Sequence, residues 1–196
     1  MQESSEPTQQ PSPFTENKNT MNFYTVSANK FVILFMATFG LYSIYWFYKH
    51  WAEYKESSGE NIWPIPRAIF SIFFTHSLFG LFEMKYEQKN GEPPKSTTSI
   101  ATLFVVVALG SNIISSLVEH GHAPQFLIIA SLLLLPVACW CLMQGQSLAN
   151  YASDDVKGES NSKLTFVNHI WLALGGMFWL LYLLGLYAVM FGEVVT

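Results

Sequence analysis

Charge is scarce in this chain. Only 12% of its 196 residues are Asp, Glu, Lys or Arg, and five stretches hold none of them. Those stretches run from Phe31 to Tyr48, Ala68 to Phe82, Ser96 to Val118, Ala123 to Ser153 and Leu164 to Gly192. A helix in a water-soluble domain shows one face to solvent and carries charge there. Long uncharged apolar runs exclude that class and point to segments solvated by lipid. Cysteine is nearly absent too. Cys139 and Cys141 lie too close on one helical run to bond each other easily, so no disulfide framework is expected. Cys139-Trp140-Cys141 also lacks the spacing of a redox dithiol.

Enzyme signatures are missing as well. The chain holds no nucleophile elbow, phosphate-cradling glycine loop, paired intramembrane aspartates or metalloprotease helix motif. No carboxylate lies inside an apolar run to complete a proton relay. The expectation is a non-enzymatic protein without a cofactor. The net charge of -4 is small and mixed, so nucleic acid is not an expected partner. No basic segment followed by a short apolar core opens the chain, and no removable signal peptide is expected.

What is present is apolar and aromatic. Hydrophobic residues make up 51% and aromatics 16%, which predicts an all-α, multi-pass integral membrane protein. Met1 to Thr20 is rich in Gln, Ser, Pro, Glu and Asn, and residues 1–29 read as a disordered cytoplasmic tail. Residues 30–192 read as the membrane domain, with segments at about 31–51, 67–83, 98–118, 126–149 and 165–191.

The last three segments exceed the roughly 20 residues that a crossing helix needs. The first is marginal and contains Gly40; the second is short, with Arg67 at its entrance. Charge placement weighs the alternatives, because Lys and Arg favour the cytoplasmic side. If neither early segment crosses, all 10 Lys and Arg residues share that side. If only the first crosses, Lys18 and Lys30 go outside; if both cross, Lys49, Lys55 and Arg67 do. The expected architecture is two short re-entrant or interfacial aromatic-rich elements followed by three transmembrane helices. Five transmembrane helices are the alternative. Both schemes make residues 83–95 and 154–163 cytoplasmic and the C-terminus external.

The densest motif runs from Thr38 to Trp51. Tyr42, Tyr45 and Tyr48 recur every third residue, Trp51 continues the row, and Trp46 and Lys49 lie among them. Tyr and Trp settle at headgroup level, and an ammonium just beyond them reaches toward anionic headgroups. Arg67 follows two prolines, where it sits in the first turn of a new helix at the interface. Tyr42, Tyr45, Trp46, Tyr48, Lys49, Trp51 and Arg67 therefore form the candidate interface for lipid or a partner. An ordinary aromatic belt that fixes helix depth is the competing reading.

This segment resembles a group of small bacterial membrane proteins of unknown function. Their pattern is similar to Thr-x-Gly-x-Tyr, then Tyr-Trp-x-Tyr-Lys and a tryptophan, then Pro-x-x-Arg-Ala with an aromatic. Thr38, Gly40, Tyr42, Tyr45, Trp46, Tyr48, Lys49, Trp51, Pro64, Arg67 and Ala68 match it. The resemblance covers residues 30–85 and implies a bacterial inner-membrane location. It brings no activity.

Other polar groups are weaker candidates. Glu119-His120-Gly121-His122 resembles a partial metal site but lacks a third or fourth converging ligand, and no metal is expected. His76 and His169 lie in apolar runs, where one hydrogen bond to a hydroxyl satisfies a neutral imidazole. Ser111, Asn112, Ser115, Ser116, Gln144, Gln146 and Asn150 read as helix-packing contacts. The leading expectation is an accessory protein engaging lipid headgroups or a membrane-protein partner through the aromatic and basic cytoplasmic face of residues 42–95, with a homo-oligomer as the alternative to a foreign protein partner. A small oligomeric channel or transporter lined by Ser111, Asn112, Gln144 and Gln146 is the second reading. An intramembrane enzyme using His76 or His169 is the third.

Overall fold

The computed structural model describes residues 21–124 and 127–191. Among them the chain forms α1 (Ala28–Ala37), α2 (Tyr42–Ser58), α3 (Pro64–Ile69), α4 (Ser71–Asn90), α5 (Thr97–Glu119), α6 (Leu127–Ala152) and α7 (Phe166–Phe191). A single 3-10 turn covers Glu159–Asn161. Three segments are long and apolar enough to cross a membrane: Thr97–Glu119, Ser131–Ala152 and Phe166–Ala188. At 1.5 Å per residue each reaches about 33 Å, against roughly 30 Å of hydrocarbon. Their outward faces carry large apolar side chains, including Val106, Ile113, Leu133 and Leu181. Exposed apolar area on this scale suits a lipid solvent and is rare on soluble monomers.

The first apolar run, expected as one element over residues 31–51, is two helices folded back at a tight turn. The cause is local. Phe39 and Gly40 both take left-handed backbone, with φ of 52° and 81°. A helix cannot continue through consecutive left-handed residues. Thr38 secures both sides of the break. Its hydroxyl donates to the Leu34 carbonyl at 2.7 Å, near the end of α1, and accepts from the Tyr42 N–H at 3.0 Å, at the start of α2. The Gly40 N–H closes the turn on the Phe35 carbonyl at 2.8 Å. The spacing Thr38-x-Gly40-x-Tyr42 is thus the chemistry of one turn: a cap, a left-handed residue and the capped amide.

The second run is also broken. Pro64 opens α3, where its missing N–H costs nothing, and the short helix ends at Phe70 before α4 starts. From Glu83 onward α4 is charged, with Glu83, Lys85, Glu87 and Lys89. Phe79-Gly80-Leu81-Phe82 lies inside regular helix, so its likeness to Phe39-Gly40-Leu41-Tyr42 is one of sequence only.

Residues 21–27 correct the expected tail. They run extended into the protein body, with Phe23, Tyr24 and Val26 buried. The expectation of disorder over residues 1–20 lies outside the described residues. This strap crosses the face at which α5 and α7 begin and α6 ends, called the loop face below. Lys89, near the end of α4, reaches the Tyr151 carbonyl at 2.6 Å and the Asp154 carboxylate on the same face.

Helix α1 packs against both α6 and α7. Gly175 permits the closest approach, because a Cβ there would overlap the Ala37 carbonyl oxygen. Just beyond it, the Trp179 indole N–H donates to the Met36 carbonyl at 3.0 Å, and its ring stacks on Phe39 with centroids 4.1 Å apart. On the other side Gly40 lies against Leu135 of α6. Leu135 is about 25 Å along α6 from its loop-face end, and Trp179 is about 20 Å along α7 from its own. The Phe39–Gly40 turn is therefore the deepest point of the first two helices.

Candidate functional site

The packed interior beneath the loop face is built by one side of α6 reading the backbone of the strap. Gln146, Asn150 and Ser153 recur at helical spacing. Ser153 meets both the Phe23 N–H and carbonyl at 3.2 Å. The Gln146 amide donates to the Tyr24 carbonyl at 2.9 Å. Asn150 accepts from the Val26 N–H at 3.2 Å and donates to its carbonyl at 3.0 Å. From the following loop, Asn161 donates to the Thr25 carbonyl and the Tyr24 hydroxyl and accepts from the buried Lys30 ammonium at 2.6 Å. An extended segment without a partner strand must satisfy its backbone somehow, and here side-chain amides do so.

The same Gln146 oxygen accepts from the Trp46 indole at 2.5 Å and faces His50 Nε2 at 3.2 Å. Around them Phe23, Trp46, His50 and Phe82 pack edge to face, with centroids 4.3 to 4.9 Å apart for Trp46–His50, Phe23–Phe82 and His50–Phe82. His50 is fully buried, and desolvation drives its imidazole pKa down to about 3. Gln146 and Asn150 are legible in the sequence as packing contacts. The strap they hold is not, because nothing local ties residues 21–27 to a helix about a hundred positions or more away.

The seven candidate interface residues divide between two environments. Trp46 and Trp51 are completely buried and Tyr42 nearly so, with its hydroxyl 3.4 Å from that of Tyr24. Tyr45 and Tyr48 are exposed. Lys49 pairs with Glu53 at 3.1 Å and lies 5.6 Å from the Tyr24 ring centre. A repeat of three drifts by about 60° per step on a helix of 3.6 residues per turn, so Tyr42 and Trp51 end on opposite sides of α2. Arg67 turns inward, its guanidinium 4.4 Å from the Trp51 ring centre and 5.2 Å from that of Phe74.

Two apolar features remain open. One is the elbow between α3 and α4, where Trp63, Ile65, Ile69, Phe70 and Phe73 are each more than half exposed. The other is a groove of about 720 Å³ beside it. One wall is the turned-back helix pair, with Leu34, Thr38, Leu41, Ile44, Tyr45 and Tyr48. Ile65, Ala68 and Ile69 of α3 form its floor, and Val167, Asn168 and Trp171 of α7 close the far side. Among the described residues, no charged side chain lines it.

The remaining polar candidates are dispersed. His120 donates through Nδ1 to the Ser116 carbonyl at 2.8 Å, and among the described residues no group of three His, Cys, Asp or Glu side chains converges as a metal site would. His76 meets the Thr102 hydroxyl at 3.0 Å, and His169 donates to the Thr165 carbonyl at 2.9 Å. Cys139 and Cys141 are buried and unbonded. Asn112 is exposed, with its amide on the Ala108 carbonyl of its own helix at 2.8 Å, whereas Gln146 is buried in the strap network. The fold does not bring those two residues together. Compared with known proteins, the chain matches no family model, no curated protein and no solved structure.

Proposed function

We propose that this is a multi-pass protein of a bacterial inner membrane that works without catalysis, as an accessory component engaging membrane lipid through its loop face. In this reading α1 and α2 form a re-entrant hairpin. Helix α1 has 10 residues, a length of about 15 Å, half the hydrocarbon thickness. Helix α2 then returns to the side it came from. The α3–α4 elbow lies along the interface, and α5, α6 and α7 cross.

Charge supports this topology. Lys30 meets the Lys163 carbonyl at 2.8 Å, and Lys89 pairs with Asp154. Lys49 lies over Tyr24, whose hydroxyl meets Asn161. Cations from both early elements thus gather with the 154–163 loop. The positive-inside preference makes that face cytoplasmic and the C-terminus external.

The observation that carries the lipid reading is the elbow itself. Trp63, Ile65, Ile69, Phe70 and Phe73 stand exposed there, and Ile65 and Ile69 share the groove with the hydroxyl-bearing rings of Tyr45 and Tyr48. Apolar bodies with polar tips at one level are what a headgroup boundary favours. The test places a fluorescent thiol probe at Phe73→Cys in a variant with Cys139→Ser and Cys141→Ser, reconstituted in vesicles. Quenching by lipids brominated high on the acyl chain is expected. Quenching by aqueous iodide alone overturns the interfacial reading. The rival pore reading needs Ser111, Asn112, Gln144 and Gln146 to share a lining, and the engaged, buried Gln146 favours it less.

A further inference from the structure

We infer that the groove between the α1–α2 pair and α7 is a binding slot for one acyl chain of a membrane phospholipid, drawn from the leaflet that adjoins the loop face. This rests on the membrane-embedded reading of that pair and names the ligand of the same region. Three properties of the groove select this occupant.

The first is chemistry. Among the described residues its lining holds no Asp, Glu, Lys or Arg, and it is walled by Leu34, Leu41, Ile44, Ile69, Val167 and Trp171. An ionic headgroup gains nothing there, and an amphipathic partner helix finds no charge with which to set its register. The second is size. A volume of 720 Å³ falls inside the roughly 300–1,000 Å³ of small-ligand pockets, too small for a whole two-chain lipid. Along α2 the lining runs from Leu41 to Tyr48, about 10 Å, which is comparable with the roughly 15 Å depth of one leaflet.

The third is polarity along that length. Leu41 sits beside the Phe39–Gly40 turn, at the deep end. Tyr48, Thr165 and Asn168 sit at the other end, where α7 begins. Thr165 N–H and hydroxyl both donate to the Asn168 side-chain Oδ1, at 2.9 and 3.0 Å, which turns that amide's NH₂ group away from its own helix cap. A chain entering with its methyl end toward Leu41 leaves its ester group at this polar rim. The groove walls are themselves part of the open apolar surface, since Leu41, Ile44, Ile69, Val167 and Trp171 are all exposed. The groove is therefore continuous with a lipid-facing surface, and chains reach it laterally.

The experiment uses the full chain in vesicles containing a phosphatidylethanolamine with a diazirine near the middle of one acyl chain. After irradiation, adducts are located by peptide mass spectrometry. Expected are adducts on the Leu41–Tyr48 segment and on Trp171 that saturate at one lipid per chain. Val167→Trp, at an exposed rim position, fills the groove without touching the core and cuts groove adducts by about tenfold, equivalent to about 1.4 kcal/mol. Adducts at the open face of Leu181 stay unchanged. Groove labelling no higher than at Leu181, or insensitive to Val167→Trp, overturns the inference. So does a benzophenone maleimide attached at Ile44→Cys, in a variant with Cys139→Ser and Cys141→Ser, that photo-cross-links to a second copy's α7, since a protein then occupies the slot. Labelling at Trp63, Phe70 and Phe73, which lie on the elbow but outside the groove lining, separates the two claims: if these label while the groove does not, only the acyl-chain slot fails. If the elbow itself fails to label, the broader lipid reading falls with it.

Discussion

The guanidinium of Arg67 lies 4.4 Å from the ring centre of Trp51 and 5.2 Å from that of Phe74, so one cation joins α3, α2 and α4. A delocalised, weakly hydrated guanidinium suits this position at an apolar boundary better than an ammonium does. Arg67→Ala is expected to destabilise the protein by about 0.5–2 kcal/mol. In a chain of this size that lowers the melting temperature by about 2–4 °C per kcal/mol. Arg67→Lys recovers only part of the loss. Near-UV circular dichroism melts in mild detergent read both, and equal melting of the Lys and wild-type proteins would show that stacking contributes nothing.

The turn at Thr38–Gly40 makes the next prediction. Gly40→Ala forces an L side chain to φ 81° and brings a Cβ to 3.3 Å from both Leu135 and Phe35. The backbone strain alone costs about 1–2 kcal/mol. Thr38→Val keeps the shape and removes the hydroxyl that serves Leu34 and Tyr42, a capping loss of about 0.5–2 kcal/mol. Limited proteolysis between Tyr42 and Ser58 should accelerate in both variants. Unchanged cleavage in Gly40→Ala would mean that the hairpin does not depend on the left-handed turn.

The three long apolar runs were legible because hydropathy integrates over twenty residues, and nothing within a membrane span interrupts it. The first run was legible as apolar but not as two helices. A reversal over Phe39 and Gly40 changes two backbone angles and almost no composition. The aromatic row misled for a related reason. Counting by threes suggests one face, while the true period carries Trp51 round into the core and leaves Tyr45 and Tyr48 outside. The strap was illegible. Phe23, Tyr24 and Val26 follow a polar stretch, and the groups that bind them sit on α6 and the loop after it.

Gln146 is the joint between that strap and α2. Its side chain serves the Trp46 indole, His50 and the Tyr24 carbonyl, all of them buried. Gln146→Leu removes one polar group and strands several, and each stranded group costs about 1–3 kcal/mol. The expected outcome is a loss on the order of 3 kcal/mol or more, with release of residues 21–27. Hydrogen exchange at Phe23–Val26 reads the release directly. Ser147→Ala is the control, because Ser147 is exposed and bonds only within its own helix. Protection of the strap equal to wild type in Gln146→Leu would mean that Asn150, Ser153 and Asn161 hold it without Gln146.

His50 adds a dependence on pH. Desolvation holds its folded pKa near 3, against 6.5 for the free side chain, although the Gln146 oxygen acts in the opposite direction. The folded protein therefore binds fewer protons than the unfolded chain between those values. Stability from this group is complete above about pH 6.5 and is lost progressively as pH falls toward 3. The groups facing the imidazole are Phe23, Tyr24, Trp46 and Phe82, with Lys49 as the adjacent cation, so among the described residues no carboxylate is placed to rescue the charged form. Melting temperature should fall on acidification from pH 7 to 5, and His50→Phe should flatten that decline even if it lowers stability at pH 7. An equally steep decline in the variant would assign the acid sensitivity to the exposed carboxylates instead.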